Sequence, residues 1–197
     1  MTLDVAGWQT LHPDDYWLYD KLILSRKLGY VCGPSGMDVP KSDIYCVRPI
    51  MNMHGMGINA KFEHLDKSTN HLHPGEFWCE MFYGEHISVD YLNKVPVLTV
   101  RGERDVSAPV YQWRKWTKIR HCFDYPEILN DLKGNYPKVN CEFIAGHLIE
   151  VHLRHNPDFN YKNKEAIPVW DEKDAHDQDG YTFVRDPDYR RIGFLIK

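Results

Sequence analysis

The sequence predicts an α+β fold in which antiparallel strands outnumber helices, and three observations carry that prediction. From residue 76 onward, short segments rich in aromatic and β-branched residues alternate with tight turns such as Gly84-Glu85, a pattern typical of antiparallel meanders. The clearest helical pattern lies at 20–29, where an apolar stripe ends at a glycine. A glycine-containing loop follows a short apolar strand within 45–60.

The bulk composition is that of a globular protein. The 197 residues suffice for one domain or two small lobes, and contents of 43% hydrophobic and 26% charged residues are ordinary. A net charge of −4 without a long basic run argues against nucleic acid as the main partner. The chain lacks a bilayer-spanning apolar run, a signal-peptide pattern and any C-x-x-C pair. We therefore expect a cytoplasmic protein with free thiols and no membrane partner.

The first half of the chain contains one predicted helix and one predicted strand. Residues 13–15 resemble a helix start, and the helix itself runs over 20–29. Glycine and proline in 31–42 predict a loop. The strand and its glycine loop occupy 45–60, and the polar segment 61–75 is predicted to be a mobile connection.

The second half is predicted to be mainly strands. They lie at 76–83, 86–92, 95–101, 139–143, 148–153, 181–184 and 192–196. A short helix is predicted at 125–133, and 157–180 is polar. The aromatic and basic segment 108–120 has two interpretations. It is either a loop whose tryptophans cover the core or a basic lip that meets an anionic substrate.

A first candidate site is the loop that follows the strand ending at Arg48-Pro49. Proline ends regular strand pairing there because it has no N–H group. Gly55 and Gly57 allow the backbone to approach a ligand and to direct N–H groups at an anion. Arg48 can face the same anion in a fork. The segment therefore predicts a polyphosphate-binding loop, with an ordinary hairpin turn as the alternative.

A second candidate site is the hairpin at 139–153 and the residue that follows it. Glu150, His152 and Arg154 alternate with apolar residues, so their side chains share one sheet face, and Glu142 lies on the adjacent strand. Two carboxylates and a neutral donor suit Mg²⁺, with phosphate oxygens and water as its other ligands. Arg154 can neutralise a transferring phosphoryl group. The alternative is a solvated strand face with a salt bridge.

Over roughly residues 19–159, these motifs together resemble the ATP-grasp superfamily. The matching segments, in the family's order, are Asp20-Lys21 through Leu28-Gly29, Val47-Arg48-Pro49 with Gly55-Met-Gly57, Glu80 through Asp90, and Glu150-Val-His-Leu-Arg154. The resemblance implies an abbreviated small lobe at 20–75, an antiparallel nucleotide and metal lobe at 76–160, and a C-terminal extension at 161–197. The two lobes would clasp ATP within a single ATP-grasp-like domain.

The resemblance also implies roles for individual residues. ATP would contact Lys21, Arg48, His54, Gly55, Met56, Gly57, Glu80, Met81, Phe82 and Glu85. Mg²⁺ or Mn²⁺ would be held by Glu142, Glu150 and His152. Arg48 and Arg154 would be catalytic. His152 stands where the family usually has asparagine, which favours Mn²⁺ or Zn²⁺ over Mg²⁺.

The implied reaction is phosphoryl transfer from ATP to a small-molecule carboxylate, followed by attack of an amine-type acceptor. Few residues precede the first motif. We therefore expect substrate to be bound by the C-terminal segment, by 108–120 or by another subunit, as in a homodimer. One alternative is a non-catalytic nucleotide-binding module derived from the same fold. Eleven histidines leave open another, a metal hydrolase or polyanion-binding protein.

Overall fold

Two antiparallel β-sheets, one of four strands and one of eight, carry the fold. The computed structural model describes residues 3–51, 57–121 and 123–197. The strands are β1 (Cys32–Pro34), β2 (Asp43–Pro49), β3 (Lys61–Leu65), β4 (Glu76–Glu80), β5 (His86–Leu92), β6 (Val95–Arg104), β7 (Trp113–Lys118), β8 (Lys138–Ile144), β9 (His147–His152), β10 (Glu165–Val169), β11 (Thr182–Asp188) and β12 (Arg191–Ile196). The helices are α1 (Leu3–Gln9) and α2 (Lys21–Lys27), and 3₁₀ turns lie at Pro13–Leu18, Glu127–Asp131 and Glu172–Asp174.

Helix α2 confirms the helix predicted at 20–29. Asp20 caps its N-terminus, accepting a hydrogen bond from the backbone N–H of Ile23 at 2.8 Å. Gly29 follows its C-terminus at a φ of +78°, the left-handed conformation that glycine adopts without steric cost. Leu24 is 1% exposed and packs into the main core, whereas Ile23 is 41% exposed.

The small sheet has the order β1-β4-β2-β3. Its centre is packed by buried Tyr45, Val47 and Trp78. Cys79 on β4 lies directly opposite Cys32 on β1 and Cys46 on β2, so three thiols cross the sheet in one row. All three are free.

Strands β1 and β3 were not predicted. β1 lies in the predicted loop 31–42 and has three residues, two of them glycine and proline, so it carries no alternating pattern. Its Gly33 packs under Trp78, where a Cβ would stand 2.6 Å from the indole ring. β3 lies in the predicted mobile connection 61–75, and most of its side chains are exposed. A strand without a buried face leaves little hydrophobic signal.

The large sheet has the order β11-β12-β10-β7-β6-β5-β8-β9. The predicted strands at 86–92 and 95–101 form β5 and β6, and the predicted 139–153 hairpin forms β8 and β9, with β9 at the edge of the sheet. One face of β5, β8 and β9 is apolar and buried against the helical elements, where Val89, Tyr91, Cys141 and Val151 belong to the same cluster as Leu24. The opposite face is polar along these three strands and apolar along β6 and β7, where Leu98, Val100 and Trp116 pack together.

The C-terminal third differs from the sequence prediction. Segment 108–120, interpreted as a loop or lip, contains β7, and the polar stretch 157–180 contains β10. β7 pairs with β6 and β10, and β10 also pairs with β12. Residues 161–197, predicted as an extension, supply three strands to the large sheet. In place of the helix predicted at 125–133, the chain forms a 3₁₀ turn at Glu127–Asp131, and Pro126 precedes it.

Strand β4 also has an unexpected partner. We grouped 76–80 with the nucleotide and metal lobe, but β4 pairs with β1 and β2 in the small sheet. The division of the chain into lobes stays a prediction. Within the described ranges, none of the helices has the length and apolar content needed to cross a bilayer.

Two neighbouring side chains of α2 test how the helix is held. Leu24→Ala should lower the free energy of unfolding by about 2–5 kcal/mol, because it leaves a cavity in the core. The matched control Ile23→Ala, on the exposed side of the same helix, should cost less than about 1 kcal/mol. Urea unfolding followed by circular dichroism measures both. Equal losses would contradict the packing described for α2.

Candidate functional site

A cavity of about 640 Å³ lies between the two sheets. Its size falls within the range of about 300–1,000 Å³ typical of small-molecule and cofactor sites. The small sheet contributes Cys46, Arg48 and Cys79 to its wall, and the large sheet contributes the polar side chains of β8 and β9. Residues from both sheets therefore face one enclosed space.

The floor of the cavity is the polar face of the large sheet. Register places Ser88 opposite Glu142 and Asp90 opposite Asn140 on β5 and β8. Asn140 in turn lies opposite His152 on β9. Asn140 donates hydrogen bonds to the Ser88 hydroxyl at 2.8 Å and to the Asp90 carboxylate at 2.9 Å. Buried polar groups need such partners, so the floor is held as one hydrogen-bonded network.

Two carboxylates meet at the edge of this floor. A register shift after Glu142 leaves it directly opposite Glu150. Like charges in that position repel each other, and a lysine and two histidines surround them. Lys21 Nζ lies 2.7 Å from Glu150 Oε1, and His86 Nε2 lies 3.4 Å from Glu142 Oε2. His152 Nε2 lies 3.4 Å from Glu150 Oε1 and 3.8 Å from Glu142 Oε1.

The groups around Glu142 shift the pKa of its carboxyl group. Burial opposes ionisation, but His86, His152 and Lys21 outweigh it and lower the pKa of Glu142 to about 2. The carboxylate is thus anionic at neutral pH. Lys21, predicted to contact the nucleotide, lines the same cavity while paired with Glu150.

The other side of His152 is bound by Asp4 of α1. His152 Nδ1 lies 3.0 Å from Asp4 Oδ1, and Arg154 donates to both oxygens of the same carboxylate, at 3.0 Å from Nε and 2.9 Å from Nη2. All three side chains are buried or half-buried. Asp4 was not predicted from the sequence, because no spacing rule connects it to a residue 148 positions away.

Arg48 provides a cation on the opposite wall. It stands at the end of β2, donates from Nη2 to the carbonyl of Ile149 at 3.1 Å, and lies over the ring of Phe77 at 5.3 Å. Its Nε is buried without a hydrogen-bond partner, and no carboxylate among the described residues pairs with it. An uncompensated guanidinium in a cavity wall favours an anionic ligand.

The glycine loop is described only at its end. His54, Gly55 and Met56 lie outside the described residues. Gly57 has a φ of +65° and lines the cavity beside Val110, whose Cγ1 would stand 3.2 Å from a Cβ at this position. Glycine is therefore favoured there both by conformation and by space.

Residues 81–85 join the two sheets and line the cavity together with Glu80. Glu80 does not point freely into the space, because its carboxylate accepts a hydrogen bond from the backbone N–H of Val31 at 2.7 Å. Met81 and Phe82 follow along the wall, and Phe82 stacks on His147 at 4.3 Å. Glu85 is held by Arg101 at 3.1 Å.

Most of the predicted site residues thus meet around one space. Those that line the cavity are Lys21, Arg48, Gly57, Glu80, Met81, Phe82, Glu85, Glu142, Glu150, His152 and Arg154. Among the described residues, no group of three or more His, Cys, Asp or Glu has its donor atoms arranged around a single metal position. The donor set of Glu142, Glu150 and His152 nevertheless suits a divalent ion such as Mn²⁺ or Mg²⁺. One carboxylate oxygen of Glu150 is already paired with Lys21.

Two facing sheets that close on a cavity, with carboxylates on one wall and an arginine on the other, define an α+β architecture with a candidate site between the sheets. No protein-family model matches the chain, and no curated protein matches its sequence. Solved structures do match its fold. One is a protein from Archaeoglobus fulgidus, described provisionally as an ATP-grasp superfamily member, with 13% identity over 91% of this chain and a TM-score of 0.56.

A second similar structure is the L-amino acid ligase from Bacillus licheniformis, with 8% identity over 91% of this chain and a TM-score of 0.52. This chain covers 64% and 66% of the two structures, just under two thirds of each. The chain therefore has the ATP-grasp fold, which confirms the fold predicted from the ordered motifs.

The acidity of Glu142 predicts a pH dependence of stability. Its pKa is about 2 in the folded protein against an ordinary value of 4.5. Its ionised form therefore stabilises the fold above about pH 4.5, and that contribution is lost as the pH falls toward 2. Glu142→Gln removes the titrating group, so its stability should fall less steeply over this interval than that of the wild type.

Urea unfolding at a series of pH values measures the two curves. The control is Glu127→Gln, which alters an exposed carboxylate on the 3₁₀ turn Glu127–Asp131 and should follow the wild-type curve. Parallel curves for Glu142→Gln and the wild type would refute the charge balance described around Glu142.

Proposed function

We propose that this chain is an ATP-dependent ligase that activates a carboxylate as an acyl phosphate for attack by an amine or similar nucleophile. The observation that carries the proposal is the distribution of charge across the cavity. Arg48, free of any described acidic partner, faces the space from the small sheet. Glu142 and Glu150 converge on it from the large sheet. A nucleotide triphosphate with a divalent cation complements both walls.

The ATP-grasp fold supports the same proposal. One similar structure is named an L-amino acid ligase, so a ligase is a function that this fold hosts. Fold alone does not define function. For this chain, the ligase proposal is supported by Arg48, the paired carboxylates and the cavity that contains them.

In the proposed reaction, a carboxylate oxygen attacks the γ-phosphorus of ATP and ADP leaves. An amine then attacks the acyl carbon, releasing phosphate and a proton. Arg48 binds the phosphates through its guanidinium group. Arg154 neutralises charge on the transferring phosphoryl group. A divalent cation held by Glu142, Glu150 and His152 would add positive charge between the phosphates. These residues lower the barrier by positioning and by charge neutralisation.

The acceptor end of the cavity is formed by the parts of the chain that the sequence analysis assigned to substrate. Trp113 and Arg114 belong to the aromatic and basic segment 108–120, and Asp188 belongs to the C-terminal strands. Arg114 is tied to Glu103 at 2.7 Å. A small substrate with both carboxylate and amine groups would meet charges of both signs there.

A second function is favoured by one specific contact. The buried pair of Lys21 and Glu150, at 2.7 Å with side chains 7% and 11% exposed, occupies an oxygen that a metal would need. A nucleotide-binding module without turnover would keep this pair closed. A ligase would require Lys21 to leave Glu150 for the phosphates. A measurement of ADP formation therefore distinguishes a ligase from a nucleotide-binding module without turnover.

The proposed function first predicts that the protein binds a nucleotide. ATP with Mg²⁺ or Mn²⁺ at about 100 times its dissociation constant should add about 2.7 kcal/mol of stability. For a chain of this size the melting temperature should rise by about 5–10 °C. Arg48→Ala should abolish most of the shift, whereas Arg185→Ala, an exposed arginine paired with Glu172 away from the cavity, should retain it. Differential scanning fluorimetry measures these shifts. The absence of any shift in the wild type with either metal would refute the proposed function.

Catalysis is the second prediction. With ATP, Mn²⁺ and a mixture of L-amino acids as the probe, Glu150→Gln should lower the rate of ADP formation by at least about 100-fold, because it removes a proposed ligand of the cation that neutralises charge on the phosphates. Glu172→Gln, an exposed carboxylate paired with Arg185, should leave the rate unchanged. A coupled assay for ADP measures the rate. Binding of ATP without ADP formation would favour the non-catalytic module, and turnover insensitive to Glu150→Gln would remove that residue from the site.

A further inference from the structure

We propose that the carboxylate substrate of this cavity carries an aromatic or bulky apolar group that packs on Trp113, while Arg104 binds its carboxylate. This inference rests on the proposed function, because it names the class of substrate that the ligase would activate. Both side chains line the cavity. Neither was predicted individually from the sequence to be a site residue.

A bulge between β6 and β7 brings two tryptophans onto one face of the large sheet. Gly102 lies opposite Trp116. Two positions further along β6, Arg104 lies opposite Trp113, which is three positions from Trp116 on β7. The extra residue of a bulge redirects the side chains beside it. Because side chains two apart on a regular strand share a face, both indoles lie on the face of Gly102 and Arg104.

Gly102 makes the room that the two indoles occupy. A Cβ at this position would stand 2.7 Å from Cζ3 of Trp113 and from Cζ3 of Trp116. A glycine inside a strand often marks such a close approach. The indole centroids are 4.5 Å apart. Trp116 is only 4% exposed, whereas Trp113 is half-buried, so Trp113 is the indole that a ligand in the cavity can contact.

The surroundings of Trp113 are aromatic and apolar on the cavity side. The imidazole of His86 packs against its indole at 4.5 Å between centroids. Ile58 and Val110 line the same cavity, and Val110 lies against Gly57, 3.2 Å from where a Cβ would stand. An aromatic ring placed on Trp113 gains the geometry-dependent attraction of aromatic pairs as well as burial. This part of the wall therefore suits an aromatic or bulky apolar group.

Arg104 supplies a cation on the same face. Its guanidinium lies over the ring of Phe62 at 5.0 Å, and its Nη1 donates to the carbonyl of Ala108 at 3.4 Å. The neighbouring carboxylate of Glu103 is paired with Arg114 at 2.7 Å. In the parts of the chain that the structure describes, no carboxylate forms an ion pair with Arg104. A half-buried guanidinium in this situation favours an anion, and its fork matches a carboxylate.

Arg104 also lies near the cation proposed to bind the phosphates. Burial raises the pKa of the Cys46 thiol, and the charges of Arg48, Lys21 and Arg104 oppose that rise. Electrostatic effects weaken with distance, so these cations lie near one thiol. A carboxylate on Arg104 would then adjoin phosphates on Arg48. One of its oxygens can bond to the γ-phosphorus as the bond to ADP breaks, while the other stays on Arg104, a positioning effect.

The experiment uses small carboxylates as probes, on the full-length protein without nucleotide or metal. The probes are 3-phenylpropanoate, propanoate, which lacks the ring, and 3-phenylpropanamide, which lacks the charge. Saturation-transfer NMR measures their dissociation constants. The wild type should bind 3-phenylpropanoate at least about 10-fold more tightly than either analogue. Equal binding of propanoate, or no binding of 3-phenylpropanoate, would overturn the inference.

Variants assign the two contacts. Trp113→Ala should weaken the binding of 3-phenylpropanoate by at least about 10-fold, and Trp113→Phe should retain most of it. Arg104→Gln should weaken the same probe by about 10–100-fold and leave the uncharged amide unaffected, a difference that a general structural role would not produce. The matched controls Tyr189→Ala and Arg185→Gln change exposed residues outside the cavity and should bind like the wild type.

The alternative for Arg104 is a contact with the phosphates themselves. Inorganic tripolyphosphate is the probe that separates the two. If Arg104→Gln weakens the binding of tripolyphosphate and leaves that of 3-phenylpropanoate unchanged, the assignment of Arg104 to the carboxylate is overturned. If Trp113→Ala does not fold, the ranking of the three carboxylate probes on the wild type and on Trp113→Phe decides the role of the indole.

The two proposals fail in different ways. If the wild type ranks the probes as expected but forms no ADP from ATP with any carboxylate, the ligase function fails and the substrate site stands. If ADP forms as readily with L-alanine as with L-phenylalanine, and 3-phenylpropanoate binds no better than propanoate, the ligase function stands and the inferred substrate class is wrong.

Discussion

The site depends on one electrostatic constraint, the placement of Glu142 and Glu150 directly opposite each other on neighbouring strands. Two carboxylates in that register repel, and the sheet tolerates them because a lysine and two histidines lie beside them, on α2, on β5 and on β9 itself. Lys21 comes from α2, His86 from β5 and His152 from β9. The helix, the hairpin and the central strand are thereby fixed relative to one another.

The same constraint explains the contrast between the two faces of the large sheet. The face that holds Val89 and Tyr91 packs against the helical elements as an ordinary apolar core. On the other face, Ser88, Asp90 and Asn140 are as deeply buried, and Asn140 joins them by hydrogen bonds to Ser88 and to one oxygen of Asp90. Burying so many polar groups costs free energy unless each has a partner. A purely structural protein does not need a buried polar face, so the presence of this face favours a ligand-binding function.

Much of the fold and of the site could be predicted from the sequence, and the failures share a physical cause. The hairpin bearing Glu150 and His152 was predicted because strict alternation places side chains on one face. Strands β1 and β10 were missed because their partners are distant in the sequence, and β7 because its aromatic and basic residues were interpreted as a loop or lip. Asp4 was missed because its contacts, with His152 and Arg154, lie 148 and 150 positions away.

The row of thiols formed by Cys32, Cys79 and Cys46 bears on which ion the cavity would accept. Cys46 and Cys79 line the same space as the carboxylates, and thiolates are strong ligands for soft metals. Burial raises the pKa of Cys79 to about 12 and raises those of Cys32 and Cys46 as well. The thiols therefore stay protonated and uncharged at neutral pH in the metal-free protein. A metal ion that bound to them would have to displace their protons, whereas Glu142 across the cavity is already ionised.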